Sequence, residues 1–170
     1  MHLSVNPAFF YGPFAPAFTA PYGSSSINGS IISSMILFYK LLLPDAPPSP
    51  LEFSPFFTDI RDAAQALVAA IDSPPSSDVG RKRILISSDW VQPTEIFDLV
   101  AKERPELASR LSPRVKDFPF EVKRVIDNKR LKEVLGLEVT PWRKTILDSV
   151  DAVIKMEDEW KKRGLVPSYL

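Results

Sequence analysis

The stretch LSVNPAFFYGP, residues 3–13, is the part of this sequence that indicates its fold most directly. Residues 3–10 are short, apolar and rich in strand formers, and the Tyr11-Gly12-Pro13 that follows is a turn signal. A second apolar run, RILISS at residues 83–88, is too short for a helix. Because its apolar residues are consecutive, it is typical of a parallel strand buried on both faces. The sequence therefore predicts two parallel strands that lie far apart in the chain.

Helical patterns lie between and after these strands. The predicted ranges are residues 27–43, 61–71, 94–103, 128–135 and 141–163. In the first range, apolar residues at steps of four, four and three mark one face: Ile27, Ile31, Met35 and Phe38. In the second, a small apolar face is expected to pack: Ala63, Ala64, Leu67, Val68 and Ile71. The alternation indicates an α/β fold, but two parallel strands do not make a stable domain.

Polar residues and glycines mark the ends of these helices. Asp59 and Asp62 lie at the start of the second helix, three positions apart, and could form an acid/base pair on one face. Aspartate at a helix start is usually a cap, so capping is the preferred interpretation. Asp127 is the expected N-cap of the fourth helix and Gly136 its left-handed C-terminal glycine.

Composition excludes several classes of function. The chain has 170 residues, 21 basic and 21 acidic, which argues against a nucleic-acid binder. With no cysteine and one histidine, neither a disulfide scaffold nor a thiolate or histidine-rich metal centre is expected. The first 58 residues carry only three charged side chains: Lys40, Asp45 and Glu52. The two parts of the chain therefore have different surroundings, and the 17 prolines indicate much irregular connection.

A membrane or secreted location is not favoured by the apolar start. The first residues lack a basic n-region, and prolines interrupt any apolar segment. Residues 27–43 are shorter than a membrane span and contain polar side chains and Lys40. We therefore expect a cytoplasmic protein that has no membrane or nucleic-acid partner, although anchoring by residues 27–43 remains an alternative.

No motif in the chain encodes a complete catalytic centre. His2 is at the terminus, where it cannot serve a nucleophilic serine, and the six glycines are too far apart to form a phosphate-binding turn. An aromatic cluster at residues 9–22 has no basic residues near it, so it indicates a core layer or the wall of an apolar pocket.

Four segments, taken in order, resemble the extended short-chain dehydrogenase/reductases, the superfamily of NAD-dependent epimerases/dehydratases and dihydroflavonol-type reductases. Val5-Asn6-Pro7 to Gly12-Pro13 is similar to their Asn-Pro-x-x-x-x-Gly-Pro stretch, and residues 57–64 to their Val-Asp-Val-Arg-Asp-Val-Ala segment. Residues 83–88 with Trp90 and the following helix resemble a late strand and helix. Asp127-Asn128-Lys129 through Leu135-Gly136-Leu137 is close to a terminal Asp-Asn-x-Lys…Leu-Gly-Phe helix. The proline-rich insert is most similar to that of fungal aldehyde or ketone reductases.

The resemblance covers the C-terminal half of such an enzyme, and residues 1–170 are interpreted as one partial domain. It implies an oxidoreductase that uses NADP or NAD to reduce a small apolar aldehyde or ketone. The family's glycine-rich turn and Tyr-x-x-x-Lys pair are missing here, because Tyr11, Tyr22 and Tyr39 have no lysine four residues on. We therefore expect no catalytic residue in this chain, no binding of the cofactor by it alone, and no activity in isolation.

The resemblance also assigns positions to the site. The nicotinamide cofactor would contact Pro7, Phe9, Phe10, Ser25 and Ser26. The walls of the substrate pocket would include Phe14, Phe18, Tyr22 and Phe56. The alternative is a non-catalytic interaction module that keeps the substrate-domain fold. Neither the substrate nor the oligomeric state can be inferred from the sequence.

Overall fold

The computed structural model describes residues 3–16, 18, 26–44, 53–114 and 123–168, with side chains not described at 26–31 and 166–168. The described residues contain six short strands, six α-helices and two 3₁₀ segments. In chain order they are β1 Ser4–Pro7, β2 Phe9–Tyr11, β3 Ser26–Asn28, a 3₁₀ segment Gly29–Met35, α1 Ile36–Leu41, β4 Phe57–Asp59, α2 Ile60–Ile71, α3 Ser76–Val79, β5 Arg83–Ile86, α4 Pro93–Glu103, a 3₁₀ segment Pro105–Arg110, α5 Lys129–Leu135, α6 Trp142–Lys162 and β6 Val166–Ser168.

The described strands form three parallel pairs, β1 with β5, β2 with β4, and β3 with β6. This confirms the α/β class and the parallel pairing of the two predicted strands. Residues 3–10 do not form one strand, however, because the chain changes partner at Ala8. The Ala8 N–H donates to the carbonyl of Ile86 at 3.0 Å and to Oγ1 of Thr58 at 2.8 Å. The strands β3, β4 and β6 were not predicted.

The helix predicted over residues 27–43 is only partly present. The segment starts as strand β3, continues as 3₁₀ backbone and becomes α-helical at Ile36. Ser33 breaks the regular backbone with a φ of 49°, a value that non-glycine residues rarely adopt. Met35 and Phe38 are buried, as the predicted face requires.

Helix α2 occupies the predicted range, but it buries a different face. Asp59 caps it by accepting the Arg61 N–H at 2.9 Å, which confirms capping over an acid/base pair. The helix packs through Ala63 and Ala66, whose small side chains allow close approach. The larger apolar residues of the predicted face therefore point away from the described protein, with exposures of 61% for Leu67, 68% for Val68 and 80% for Ile71.

The ends of the later helices agree with the predictions to within one or two residues. Gly136 ends α5 in the left-handed conformation, with a φ of 66°. The N-cap position is Asn128 and not the predicted Asp127, although the Lys129 N–H donates to Oδ1 of Asp127 at 2.7 Å from one residue earlier. Asn128 adds a link that was not predicted: its side chain accepts the Ser87 N–H at 3.0 Å and donates to the Ser87 carbonyl at 2.7 Å. Helix α5 is thereby fixed to the end of β5.

The apolar residues form two cores. The larger one joins α1, α4 and α6 around an aromatic centre: Tyr11, Phe38, Phe53 and Phe57. The smaller one lies between β5, α2 and α5 and contains Ile84, Ile86 and Ala66. Leu85 is 41% exposed, so the expectation that this strand is buried on both faces is wrong for the described residues. Helices α2 and α5 cover the face that carries Ile84 and Ile86, and Leu85 lies on the other.

Within the described ranges, no helix has the length and apolar character needed to cross a membrane.

Candidate functional site

A groove of about 280 Å³ opens where β2 and β4 end, and we call it the strand-end groove. In open α/β folds, ligands bind at the carboxyl ends of parallel strands, where the backbone diverges and leaves space. Mostly apolar side chains line the groove: Phe10, Phe14, Phe18, Ile32, Met35 and Ile60. The groove is therefore suited to a small ligand with an apolar body.

Three of the residues assigned from sequence meet in this groove. Phe10 comes from β2, and Phe14 and Phe18 come from the loop that follows it. The rings of Phe14 and Phe18 stack with their centroids 4.9 Å apart and 17° between their planes. A predicted cofactor residue and two predicted substrate residues therefore share one wall.

Two serines place polar groups in the same groove, and neither was predicted as a site residue from the sequence. Ser33 carries the strained backbone, and the hydroxyl of Ser34 donates to the carbonyl of Phe10. Strained backbone often occurs where a ligand is held, since surrounding structure must maintain it. Ser34 thus ties the 3₁₀ segment to β2 beside the apolar wall.

The base of the groove is fixed to α6 through the turn at Gly12. The Gly12 N–H donates to Oγ of Ser149 at 2.8 Å, and that hydroxyl donates to the carbonyl of Thr145 at 2.7 Å. Gly12 has a φ of 125°, and a Cβ here would lie 3.1 Å from a methyl of Ile60 and 3.2 Å from Oδ1 of Asp59. Glycine is needed here for close packing within the chain, not for approach to a phosphate.

Asp59 is the buried charge beneath this turn. It accepts from Nε and Nη2 of Arg61 at 2.8 and 2.7 Å and from the hydroxyl of Thr145 at 2.8 Å. Burial acts to raise the pKa of Asp59, but these hydrogen bonds and the Arg61 charge outweigh it and hold the pKa below its usual value. Arg61 also pairs with Asp148 at 2.6 Å. The carboxylate therefore remains ionised and serves to connect α2 with α6.

The other assigned positions lie outside the strand-end groove. Pro7 is paired with Ile86 in the β1 ladder, and Phe9 is 47% exposed with its ring edge against Tyr11. Phe56 packs edge to face on Trp90 at 5.2 Å, because it points away from the buried Phe57 beside it. Phe56 is therefore not part of the described lining of the strand-end groove, and its assignment to the substrate pocket stays a prediction.

Three further assignments rest on residues that are described incompletely or not at all. Tyr22 and Ser25 lie outside the described residues, and only the backbone of Ser26 is described, at the start of β3.

A second cleft of about 480 Å³ lies on the other side of the Phe14–Phe18 loop, against α6. Its apolar floor includes Ala152 and Met156. Six charged residues also line it: Arg61, Asp148, Asp151, Lys155, Glu159 and Arg163. Charged side chains stay hydrated unless a ligand offers them polar partners, and an apolar carbonyl compound offers few. The strand-end groove is therefore the better candidate for such a ligand.

The two described tyrosines are not placed to act as proton donors. Tyr11 is buried in the aromatic centre, and its hydroxyl accepts the Ser54 N–H at 3.1 Å. Burial raises the pKa of Tyr11 well above its usual value, although the bond from Ser54 opposes the rise. Tyr39 is buried edge to face against Trp160. Neither hydroxyl is available to protonate a carbonyl oxygen.

The described lining of the strand-end groove suits a nicotinamide ring better than a pyrophosphate. Phe9 and Phe10 offer exposed aromatic surface at the end of β2, which suits a flat ring. The strand-end groove contains no cationic side chain among its described lining, and Gly12 packs against Ile60 and Asp59. A pyrophosphate is usually bound by backbone amides at a helix start or by cationic side chains. The described lining supplies no cation, and the helix start beside it, at Ile60, is capped by the carboxylate of Asp59.

Sequence comparison finds reductases. The chain is 28% identical over 153 residues to a Candida albicans protein named as an NADPH-dependent methylglyoxal reductase, covering 88% of the chain and 42% of that protein. It is 25% identical over 162 residues to an uncharacterized oxidoreductase of Saccharomyces cerevisiae, covering 92% and 43%. No family model matches the chain. The chain thus spans less than half the length of these relatives.

Structural comparison finds the same group of proteins. The yeast methylglyoxal/isovaleraldehyde reductase complexed with NADPH superposes with a TM-score of 0.62 at 21% identity, covering 92% of this chain and 47% of that one. A Candida albicans protein, also solved with NADPH, gives a TM-score of 0.62 at 21% identity, covering 89% of this chain and 43% of that one. The resemblance to the C-terminal half of an extended short-chain dehydrogenase/reductase is confirmed.

Proposed function

We propose that this chain is the substrate-binding part of an NADPH-dependent oxidoreductase that reduces a small apolar aldehyde or ketone, and that it is inactive alone. The observation that carries the proposal is the strand-end groove, where Phe10, Phe14 and Phe18 form an apolar wall at the carboxyl ends of β2 and β4. The names of the relatives, which include methylglyoxal and isovaleraldehyde reductases, support this substrate class.

The assignment of roles follows from the placement of these residues. Phe14 and Phe18 would hold the apolar body of the substrate, and Phe10 would lie between it and the nicotinamide ring, with Phe9 and Pro7 beside the ring. Residues 1–170 would then be one partial domain, and the nucleotide-binding half would be supplied by a further polypeptide segment. The proton donor would also come from that segment, since Tyr11 and Tyr39 are buried.

A chimera tests this proposal. The region of the Candida albicans relative that this chain does not match is joined ahead of residue 3, and NADPH oxidation is followed with methylglyoxal and with isovaleraldehyde. We expect turnover by the chimera and none by the isolated chain. Phe10→Ala should raise KM at least tenfold in the chimera, whereas Phe56→Ala, a matched change outside the groove, should leave KM within twofold. Turnover by the isolated chain, or equal effects of the two variants, would contradict the proposal.

The second candidate function is a non-catalytic interaction module, which is favoured by the exposed apolar residues of α2. A folded chimera that binds NADPH but reduces no carbonyl compound would favour this alternative, particularly if the isolated chain is monomeric and melts cooperatively.

A further inference from the structure

The cleft of about 480 Å³ against α6, which we call the α6 cleft, combines apolar and charged side chains. The loop that follows β2 supplies one wall, with Phe14 and Phe18. The other wall is one face of α6, since its residues are spaced by alternate steps of three and one: Asp148, Asp151, Ala152, Lys155, Met156 and Glu159. The volume lies within the range of about 300–1,000 Å³ that is usual for small-molecule sites.

The three carboxylates of the α6 cleft already have cationic partners. The N···O distances lie between 2.6 and 2.8 Å, and the pairs are Asp148 with Arg61 and Lys144, Asp151 with Arg104, and Glu159 with Lys162. A positively charged ligand would have to displace one of these cations from its carboxylate. The lining is therefore not suited to a cationic ligand.

Lys155 is different, because no described residue pairs with it through a hydrogen bond or an ion pair. Asp151 and Glu159 lie one turn before and after it, at the spacing where ion pairs form along a helix. However, Arg104 occupies both carboxylate oxygens of Asp151, and Lys162 is bonded to Glu159. Lys155 affects Glu159 only through its charge. Its exposed ammonium is therefore available to an anion that enters the cleft.

The apolar part of the lining lies next to Lys155. Met156 follows it in α6, and Ala152 lies one turn before Met156. On the other wall, the stacked rings of Phe14 and Phe18 provide aromatic surface. A ligand with an apolar body and one negative charge would use both parts of the lining. A doubly charged anion is less suitable, because three carboxylates line the cleft and repel it.

We propose that the α6 cleft is a binding site for a small monocarboxylate with an aliphatic or aromatic body. The carboxylate would pair with Lys155, and the body would lie between Phe14 and Met156. The site is separate from the strand-end groove, whose described lining contains no charged side chain. The proposal therefore does not depend on the proposed function.

Methionine methyl groups can report separately on the two cavities, because Met156 lines the α6 cleft and Met35 lines the strand-end groove. The full chain is ¹³C-labelled at these methyl groups and titrated, with NMR detection, with phenylbutyrate or with phenylbutanamide, which has the same body without the charge. Met156→Leu and Met35→Leu assign the two resonances. We expect phenylbutyrate to give a saturable shift at Met156 and a smaller shift at Met35. Its affinity should be at least fivefold higher than that of the amide.

A pair of lysine variants tests whether the carboxylate is recognised at the proposed position. Lys155→Gln removes the ammonium and should weaken binding of phenylbutyrate at least fivefold, which corresponds to about 1 kcal/mol. It should leave binding of the amide within twofold. Lys102→Gln removes the same charge from α4, outside the cleft, where the lysine side chain is 81% exposed. This control should change the affinity for either compound by less than twofold.

Four results would overturn the proposal. Equal weakening by the two lysine variants would mean that net charge, and not the position of Lys155, controls binding. Equal affinity for the acid and the amide would show that the carboxylate is not recognised. A shift confined to Met35 would place the ligand in the strand-end groove, and the lack of any saturable shift at Met156 would show that the α6 cleft does not bind this class of compound.

Discussion

Single side chains hold distant elements of this chain together, and Asn128 is one of them. Its amide satisfies both backbone groups of Ser87, which is buried. Asn128→Ala leaves the Ser87 N–H and carbonyl without these partners, so we expect the free energy of unfolding to fall by about 1–3 kcal/mol. Lys129→Ala, an exposed neighbour, should change it by less than about 0.5 kcal/mol. Urea unfolding followed by tryptophan fluorescence would measure both, and equal losses would show that the bridge adds nothing.

The hydrogen bond from Thr145 to Asp59 should be visible in the acid stability of the protein. The carboxyl of Asp59 titrates at about pH 3.9 in the unfolded chain. Its pKa in the folded protein lies below its usual value. The folded carboxylate therefore stabilises the protein fully above the unfolded pKa, and this stabilisation is lost as pH falls through the folded pKa. Thr145→Val removes one donor to the carboxylate and brings the folded pKa closer to the unfolded one. We expect acid unfolding to begin at a higher pH, with a loss at pH 7 of about 1.5–3 kcal/mol.

Comparison of the original protein with Thr145→Val across pH distinguishes the loss of the hydrogen bond to Asp59 from a change in packing. Circular dichroism of urea-unfolding series at steps between pH 7 and pH 2 gives the difference in stability at each pH. That difference should shrink once Asp59 is protonated in both. A difference that stays constant with pH would mean that the threonine acts by packing alone.

At the scale of elements, an introduced lysine should destabilise the protein on one face of α2 and leave its stability almost unchanged on the other. Ala66 is completely buried and Val68 is 68% exposed. Ala66→Lys should destabilise the chain by at least about 3 kcal/mol, because the ammonium has no partner in the core. Val68→Lys should alter stability by less than about 0.5 kcal/mol, since that site faces water. Thermal unfolding of the two variants checks the assignment, and strong destabilisation by Val68→Lys would show that Val68 is covered within this chain.

Helix ends could be predicted from sequence because their signals are local. Asp59 and Gly136 act through backbone groups within a few residues, so capping and termination are readable without knowledge of the fold. The buried face of α2 was not readable in this way. An apolar pattern shows which residues prefer burial, but not whether the covering layer is in the same chain. Leu67 and Ile71 are not covered by the residues that the structure describes.

The candidate site likewise combines residues that are close in sequence with contacts between residues that are far apart in sequence. Phe10, Phe14 and Phe18 lie close together in sequence, and the structure brings them to one wall. Ser34 and the Asp59–Thr145 bond depend on contacts between residues 24 and 86 positions apart. Nothing in the local sequence specifies such contacts, so these hydrogen bonds could not be predicted. Phe56 does not join this wall, because it directly precedes β4 and points away from the buried Phe57.

At the scale of the whole molecule, the open surfaces should make the isolated chain associate. Leu67 and Ile71 are 61% and 80% exposed, and the edge of β1 has free backbone groups in the described structure. Exposed apolar surface and unpaired strand edges both promote association. We expect the purified chain to bind a dye of apolar surfaces such as anilinonaphthalene sulfonate and to increase in mass with concentration in size-exclusion chromatography with light scattering.

Two double variants distinguish the loss of apolar surface on α2 from the effect of added positive charge. Leu67→Lys with Ile71→Lys adds two positive charges on the exposed apolar face of α2, and Gln65→Lys with Ser77→Lys adds the same two charges at exposed polar positions. Only the first pair removes apolar surface, so it alone should lower dye fluorescence severalfold and shift the chain towards monomer. Equal reduction by both pairs would mean that net charge controls the association, because the control keeps the apolar face of α2 intact. A wild-type chain that is monomeric at every concentration and binds no dye would mean that these surfaces are covered within the chain itself.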